Sequence, residues 1–116
     1  MNLKNETLEI LKKNGKSFDD VEWIGSKTHQ IRKEDFLVLA DVEYDEGYGC
    51  MEVANDLLIV GKDWWLERHE YDGSEWWEFK IIPKKPKEII ESPVKITYNL
   101  GGSLEALAKY KKNDPS

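Results

Sequence analysis

A chain of 116 residues with 40% apolar and 34% charged residues and a net charge of −6 is expected to form one soluble globular domain with a single modest core. It holds no apolar run near the roughly 20 residues of a membrane span, and its acid-bearing, amphipathic start is unlike a secretory leader, so a cytoplasmic protein is expected. The lone cysteine, Cys50, excludes an internal disulfide framework and a Cys-rich metal site; beside Met51 it reads as a packed thiol, not a nucleophile.

In chain order, residues 3–13 place Leu8 and Leu11 three apart, with Leu3 and Thr7 on a nearby arc. This spacing predicts a short amphipathic helix that stops at Asn14-Gly15, with Lys12 and Lys13 complementing its dipole. Val21, Trp23 and Gly25 alternate with Glu22 and Ile24 as a first strand, and Gly25-Ser26 turns toward a second around Thr28 to Ile31. Residues 33–42 begin with Glu34 and Asp35, which suits a helix start; the run Phe36 to Ala40 also fits a buried strand, and helix is the favoured reading. An acidic, glycine-containing loop follows over 41–49, then a strand from Cys50 to Val60. Pro83 and Pro86 punctuate a basic segment that is no central strand. Val94 to Tyr98 is a candidate edge strand, and Ser103 caps a short helix over Leu104 to Lys111, ahead of a fraying tail.

The most informative stretch is Trp64 to Lys80. Asp72-Gly73 between two alternating aromatic runs predicts a β-hairpin with a two-residue turn. Tyr71 then faces Ser74, and the pairs run outward through Glu70/Glu75, His69/Trp76, Arg68/Trp77, Glu67/Glu78 and Leu66/Phe79 to Trp65/Lys80. A three-residue loop would shift one strand by one, but either register places one ring of each Trp-Trp pair on each face. Trp64, Leu66, Arg68, Trp77, Phe79 and Ile81 form the better core face. Trp65, Glu67, His69, Tyr71, Trp76, Glu78 and Lys80 form the candidate working face.

Charge sharpens this. Residues 34–78 carry fourteen acids against only Lys62 and Arg68, a net of −12, between mildly basic flanks. Such a block repels nucleic acid and attracts basic protein surfaces; it also serves simply to keep a Trp-rich domain soluble. Asp41, Glu43, Asp45 and the more distant Glu52 have a passing likeness to a calcium loop, but Glu46 occupies the position that needs glycine, and a solvated acidic loop is the favoured reading. Glu67 opposite Glu78 beside tryptophans also describes a glycosidase cleft, although Arg68 and Lys80 offer a purely neutralising explanation. His69 has acidic neighbours but no nucleophile or oxyanion-forming motif. Neither a phosphate loop nor a dinucleotide fingerprint is present.

The segments Tyr44 to Gly49, Glu52-Val53-Ala54, Leu58 to Gly61, Trp64 to Arg68 and Glu70 to Phe79 resemble a group of small phage and prophage proteins of Gram-positive bacteria. The likeness covers roughly residues 15–80. That group has no assigned activity, so no functional residue carries over. The resemblance implies an accessory product of a mobile element acting in the host bacterial cytoplasm.

The sequence thus predicts a single α+β domain over 1–116: a mainly antiparallel sheet, a meander centred on residues 50–82, flanked by two or three short helices, with 83–116 as a basic C-terminal segment. The expected function is a non-enzymatic acidic interaction protein that needs no cofactor and docks on a basic host protein, in its sharpest form an anti-defence factor. Trp65, Glu67, His69, Tyr71, Trp76 and Glu78, with Asp41, Glu43, Asp45 and Glu46, are the expected binding residues. Direct nucleic-acid or membrane binding is not expected. Two alternatives are a small-ligand or carbohydrate-binding module, with a hydrolase as its weaker form, and a homodimer that covers the aromatic face.

Overall fold

In the computed structural model the elements run α1 (Leu3–Lys13), β1 (Trp23–Gly25), β2 (Gln30–Ile31), α2 (Lys33–Leu39), β3 (Leu58–Val60), β4 (Trp64–Tyr71), β5 (Ser74–Ile81) and α3 (Leu104–Ala108). The structure describes residues 1–45, 50–88, 95–97 and 102–108, in two compact units, Met1–Pro83 and Lys84–Ser116. The first unit holds a five-stranded sheet in the order β2-β1-β3-β4-β5, antiparallel at every join. The fold is α+β. In the second unit Ser103 Oγ accepts the backbone N–H of Ala106 at 3.1 Å and so caps α3.

The hairpin follows its turn. Asp72 and Gly73 have φ of 51° and 88°, the left-handed pair of a type I′ turn, which matches the twist of the flanking strands. All seven predicted pairs from Tyr71/Ser74 to Trp65/Lys80 form, and an eighth joins Trp64 to Ile81. The inner face carries Trp64, Leu66, Arg68, Glu75, Trp77 and Phe79, which pack with Ile24, Ile59, Leu3 and Leu11 in the core.

Several elements depart from their predicted form. The buried stripe of α1 is Leu3, Thr7 and Leu11, a repeat of four, while Leu8 is exposed. Asn2 caps this helix by accepting the N–H of Asn5 at 3.0 Å, and Gly15, at φ 72°, lets the chain leave it. The second strand is confined to Gln30–Ile31, because Ser26 Oγ accepts the N–H groups of Thr28 and His29 in a tight turn. The helix predicted over 33–42 ends at Leu39 and buries Phe36 against Phe18, with ring centroids 6.2 Å apart.

The strand predicted over Cys50 to Val60 shrinks to Leu58–Val60. The N–H groups of Glu52 and Val53 bond the Glu75 carboxylate at 2.7 and 3.3 Å, and a turn closes from Leu57 N–H to Ala54 C=O. Cys50 lies on this irregular segment and is exposed, not packed. Ile81, placed on the core face by alternation, is also exposed at the sheet's end. Residues 95–97 form no strand; the remainder of that predicted strand, the last residues of the predicted C-terminal helix and Glu46 lie outside the described residues.

The core is closed by a charge. Arg68, its side chain fully shielded, donates to Glu6 Oε1 at 2.9 Å, Glu75 Oε1 at 2.8 Å and the Tyr44 hydroxyl at 3.2 Å. Its guanidinium carbon lies 4.8 Å from the Trp77 ring centre and 5.6 Å from that of Tyr44, a cation held between two π faces. Tyr44 in turn donates to the Glu6 carboxylate, and Trp77 Nε1 donates to Thr7 Oγ1 at 2.9 Å. Burial drags the Arg68 pKa down, but the bonds to Tyr44, Glu6 and Glu75 outweigh it and hold the group above its ordinary value. Burial pushes the Tyr44 hydroxyl well above its usual range. Among the described residues Arg68 Nε has no hydrogen-bond partner. One cation therefore ties α1, the Tyr44 segment and both hairpin strands together.

Candidate interaction surface on the sheet

The opposite face of the sheet is built by cross-strand rows. The register sets Trp23 beside Val60, Val60 beside Trp65, and Trp65 beside Lys80. A second row runs Gly25, Leu58, Glu67, Glu78, and a third pairs His69 with Trp76. Trp23, Leu58, Val60, Trp65, Glu67, His69, Trp76, Glu78 and Lys80 are all half-buried. Three tryptophans and two carboxylates thus share one surface, with Tyr71 fully exposed at the hairpin tip.

Polar contacts fix its side chains. Trp65 Nε1 donates to Glu67 Oε1 at 2.6 Å, and His69 Nε2 lies 2.6 Å from Glu67 Oε2. On its other side His69 Nδ1 is 3.4 Å from Glu78 Oε2, which also accepts from Trp76 Nε1 at 3.3 Å. Lys80 Nζ is 3.2 Å from Glu78 Oε1. The two carboxylates paired across the hairpin are therefore bridged by His69. Of the two neutralising residues expected here, Lys80 takes part; Arg68 points to the other face, as strand alternation requires.

These contacts have an electrostatic consequence. The Trp65 hydrogen bond, followed by that of His69, holds the Glu67 carboxyl below the usual glutamate range. The Lys80 contact does the same for Glu78, with Trp76 assisting. A glycosidase pair needs one carboxyl raised so that it can donate a proton. Here both are stabilised as carboxylates, which suits them to accept hydrogen bonds from cations.

The acidic loop does not join this surface. Asp41 Oδ1 accepts from Asn2 Nδ2 at 3.0 Å, and Glu43 lies 3.2 Å from the Met1 amino group; both belong to the region where the start of α1 meets residues 40–44. Glu43 and Tyr44 instead border an apolar cavity of about 350 Å³ lined by Leu3, Phe36, Leu39 and Val42. Glu52 Oε2 accepts the N–H of Asp45 at 2.7 Å. The calcium-like set is thus engaged in local bonds, and among the described residues no group of three or more His, Cys, Asp or Glu side chains could hold a metal ion.

Trp23 and Leu58 were not among the residues expected at the surface. Their membership depends on β1 pairing with β3, a contact 37 residues apart at Trp23/Val60 and 35 at Ile24/Ile59 that no local pattern encodes. The period-2 alternation of Val21, Trp23 and Gly25 was the one available signal. No helix among the described residues is long and apolar enough to cross a membrane. Set against protein-family models, curated proteins and solved structures, the chain shows no significant match to any.

Proposed function

We propose that this chain is a non-catalytic interaction protein that docks the outer face of its sheet onto a basic protein surface. The observation that carries the reading is the Trp–carboxylate array. Trp65 and Trp76 each donate to a glutamate two residues on, which fixes the indole and the carboxylate together. An incoming Arg or Lys meets a fixed anion and an aromatic face at once, combining a charge-assisted bond with a cation–π contact. The surrounding −12 block over residues 34–78 would speed encounter with such a partner and disfavour nucleic acid.

The resemblance to phage and prophage proteins supplies a setting: an accessory factor in a bacterial cytoplasm, with a host nucleic-acid-binding protein as the sharpest form of partner. The test compares capture from host lysate by wild-type protein with capture by Glu67→Gln/Glu78→Gln and by Trp76→Ala, each shown to be folded. A partner that wild type retains at low salt, releases near ~0.5 M salt and loses with both variants supports the proposal. Equal capture by all three proteins, or none by wild type, refutes it. If glycans shift the melting temperature of wild type but not of Trp76→Ala, the surface is a carbohydrate site instead.

A further inference from the structure

The outer edge of the sheet carries a second surface, which shares Trp76, Glu78 and Lys80 with the tryptophan face. In a two-residue hairpin the pair flanking the turn is hydrogen-bonded, and such pairs recur at every second residue. Ser74, Trp76, Glu78 and Lys80 therefore spend their backbone groups on β4, and the bond from Ile82 N–H to Asp63 C=O at 2.8 Å continues the same parity. The N–H and C=O groups of Glu75, Trp77, Phe79 and Ile81 point away from the sheet. None of them has a backbone partner among the described residues, and β5 is the last strand in the sheet order.

A cavity of about 660 Å³ lies along this edge, lined by Glu9, Ile10 and Lys13 of α1 together with Trp76 and Trp77. Adjacent residues of a strand point to opposite faces, so a space that touches both tryptophans must wrap over the edge of β5. At the far end of the strand Ile81 and Ile82 are 54% and 53% exposed. One edge thus offers, at one end, a groove in which two tryptophans and Ile10 face the charged Glu6, Glu9, Lys12 and Lys13 of α1, and two uncovered isoleucines at the other.

We infer that β5 is a self-association edge: two copies pair their β5 strands antiparallel about a two-fold axis at Phe79 and join their sheets into one. Alternation and the outward-pointing groups limit two-fold pairing to registers centred on a single residue. Centring on Glu78 or Lys80 sets like charges face to face, which is unfavourable. Centring on Trp77 puts Glu75 opposite Phe79. Centring on Phe79 puts Glu78 opposite the partner's Lys80 twice, Trp77 opposite the partner's Ile81, and Trp76 opposite the partner's Ile82. The exposed isoleucines then enter the groove beside the tryptophans, and Pro83, which has no N–H to donate, ends the ladder. The product is an isologous dimer whose outer tryptophan face runs unbroken across the axis.

Sedimentation velocity of the full chain across a wide concentration range tests this. Wild type is expected to pass from monomer to dimer. Glu78→Lys alone and Lys80→Glu alone set like charges across the axis and are expected to remain monomeric, whereas their equimolar mixture restores both opposite-charge pairs and is expected to form a heterodimer. Ile81→Lys and Ile82→Lys, at exposed positions, are expected to abolish the dimer without loss of the native near-ultraviolet circular dichroism, and they serve if a charge variant fails to fold. A wild type that stays monomeric at the highest attainable concentration overturns the inference, leaving the edge to some other strand. So does a dimer that survives in the folded single variants, or a mixture that does not associate.

Discussion

Replacing Arg68 with Met tests what holds the core together. Methionine fills much of the arginine stem's volume, so the change removes mainly the charge, its three hydrogen bonds and its stacking between Tyr44 and Trp77. It leaves the Glu75 side chain fully shielded and that of Glu6 13% exposed without their common cation. Breaking a buried pair from one side costs about 3–5 kcal/mol, because the remaining charge stays desolvated. Against a total stability of roughly 5–15 kcal/mol for a domain this size, Arg68→Met should shift the urea midpoint far toward water with little change in m. Adding Glu75→Gln removes one stranded charge while keeping an acceptor for the Glu52 N–H, and should recover about 1–2 kcal/mol as a coupling energy. Equilibrium unfolding followed by tryptophan fluorescence measures all four corners of the cycle. A cost below about 1 kcal/mol for Arg68→Met, or strict additivity with Glu75→Gln, would refute the claim that this cation organises the core.

Four further outcomes are expected. Thr7→Val keeps the shape but strips the acceptor from buried Trp77 Nε1 and should cost about 1–3 kcal/mol in the same unfolding assay. Trp65→Phe removes the largest cause of the lowered Glu67 pKa, so the Glu67 carboxyl midpoint followed by NMR should rise toward the ordinary glutamate value. In wild type the depressed pKa values of Glu67 and Glu78 contribute stability above the unfolded-state value, and this is lost as pH falls through the folded ones; a variant with Gln at both positions should therefore lose less stability on acidification than wild type. Gly61→Ala places a Cβ into the indole of Trp64, a ring stacked on Phe79; it should cost about 1–3 kcal/mol as overpacking and blue- or red-shift the fluorescence of a ring that is buried in wild type.

What could be read from the sequence was what local geometry fixes. Asp72-Gly73 admits a type I′ turn, that turn fixes a two-residue loop, and the loop dictates which side of the hairpin each of sixteen strand residues faces. Arg68 was thereby placed on the inner face, but its partners were not legible. Glu6, Tyr44 and Glu75 lie 62, 24 and 7 residues away, and no periodicity links them. Glu75 shows a second obstacle. A carboxylate beside a turn reads as solvated, and its burial makes sense only once the N–H groups of Glu52 and Val53 and the guanidinium have arrived around it. Those same bonds dissolved the long strand predicted before Val60. The candidate surface divided in the same manner: residues of the hairpin stayed together, whereas Asp41 and Glu43 were drawn to the start of α1 by Asn2 and the Met1 amino group.

Arg68 also bears on the order in which the chain is assembled. The hairpin closes through near neighbours and can form early, as low-separation contacts do. At that stage its guanidinium has Glu75 in reach but lacks Glu6, which arrives from 62 residues away. Docking of α1 is then the step that excludes water from the cation, and it is rewarded only if the hairpin is already in place. The helix should accordingly lose its amide protection at a lower opening free energy than the hairpin in native-state hydrogen exchange, while Thr7→Val should speed unfolding more than it slows folding. The charge at the centre of the core acts as a latch that closes last.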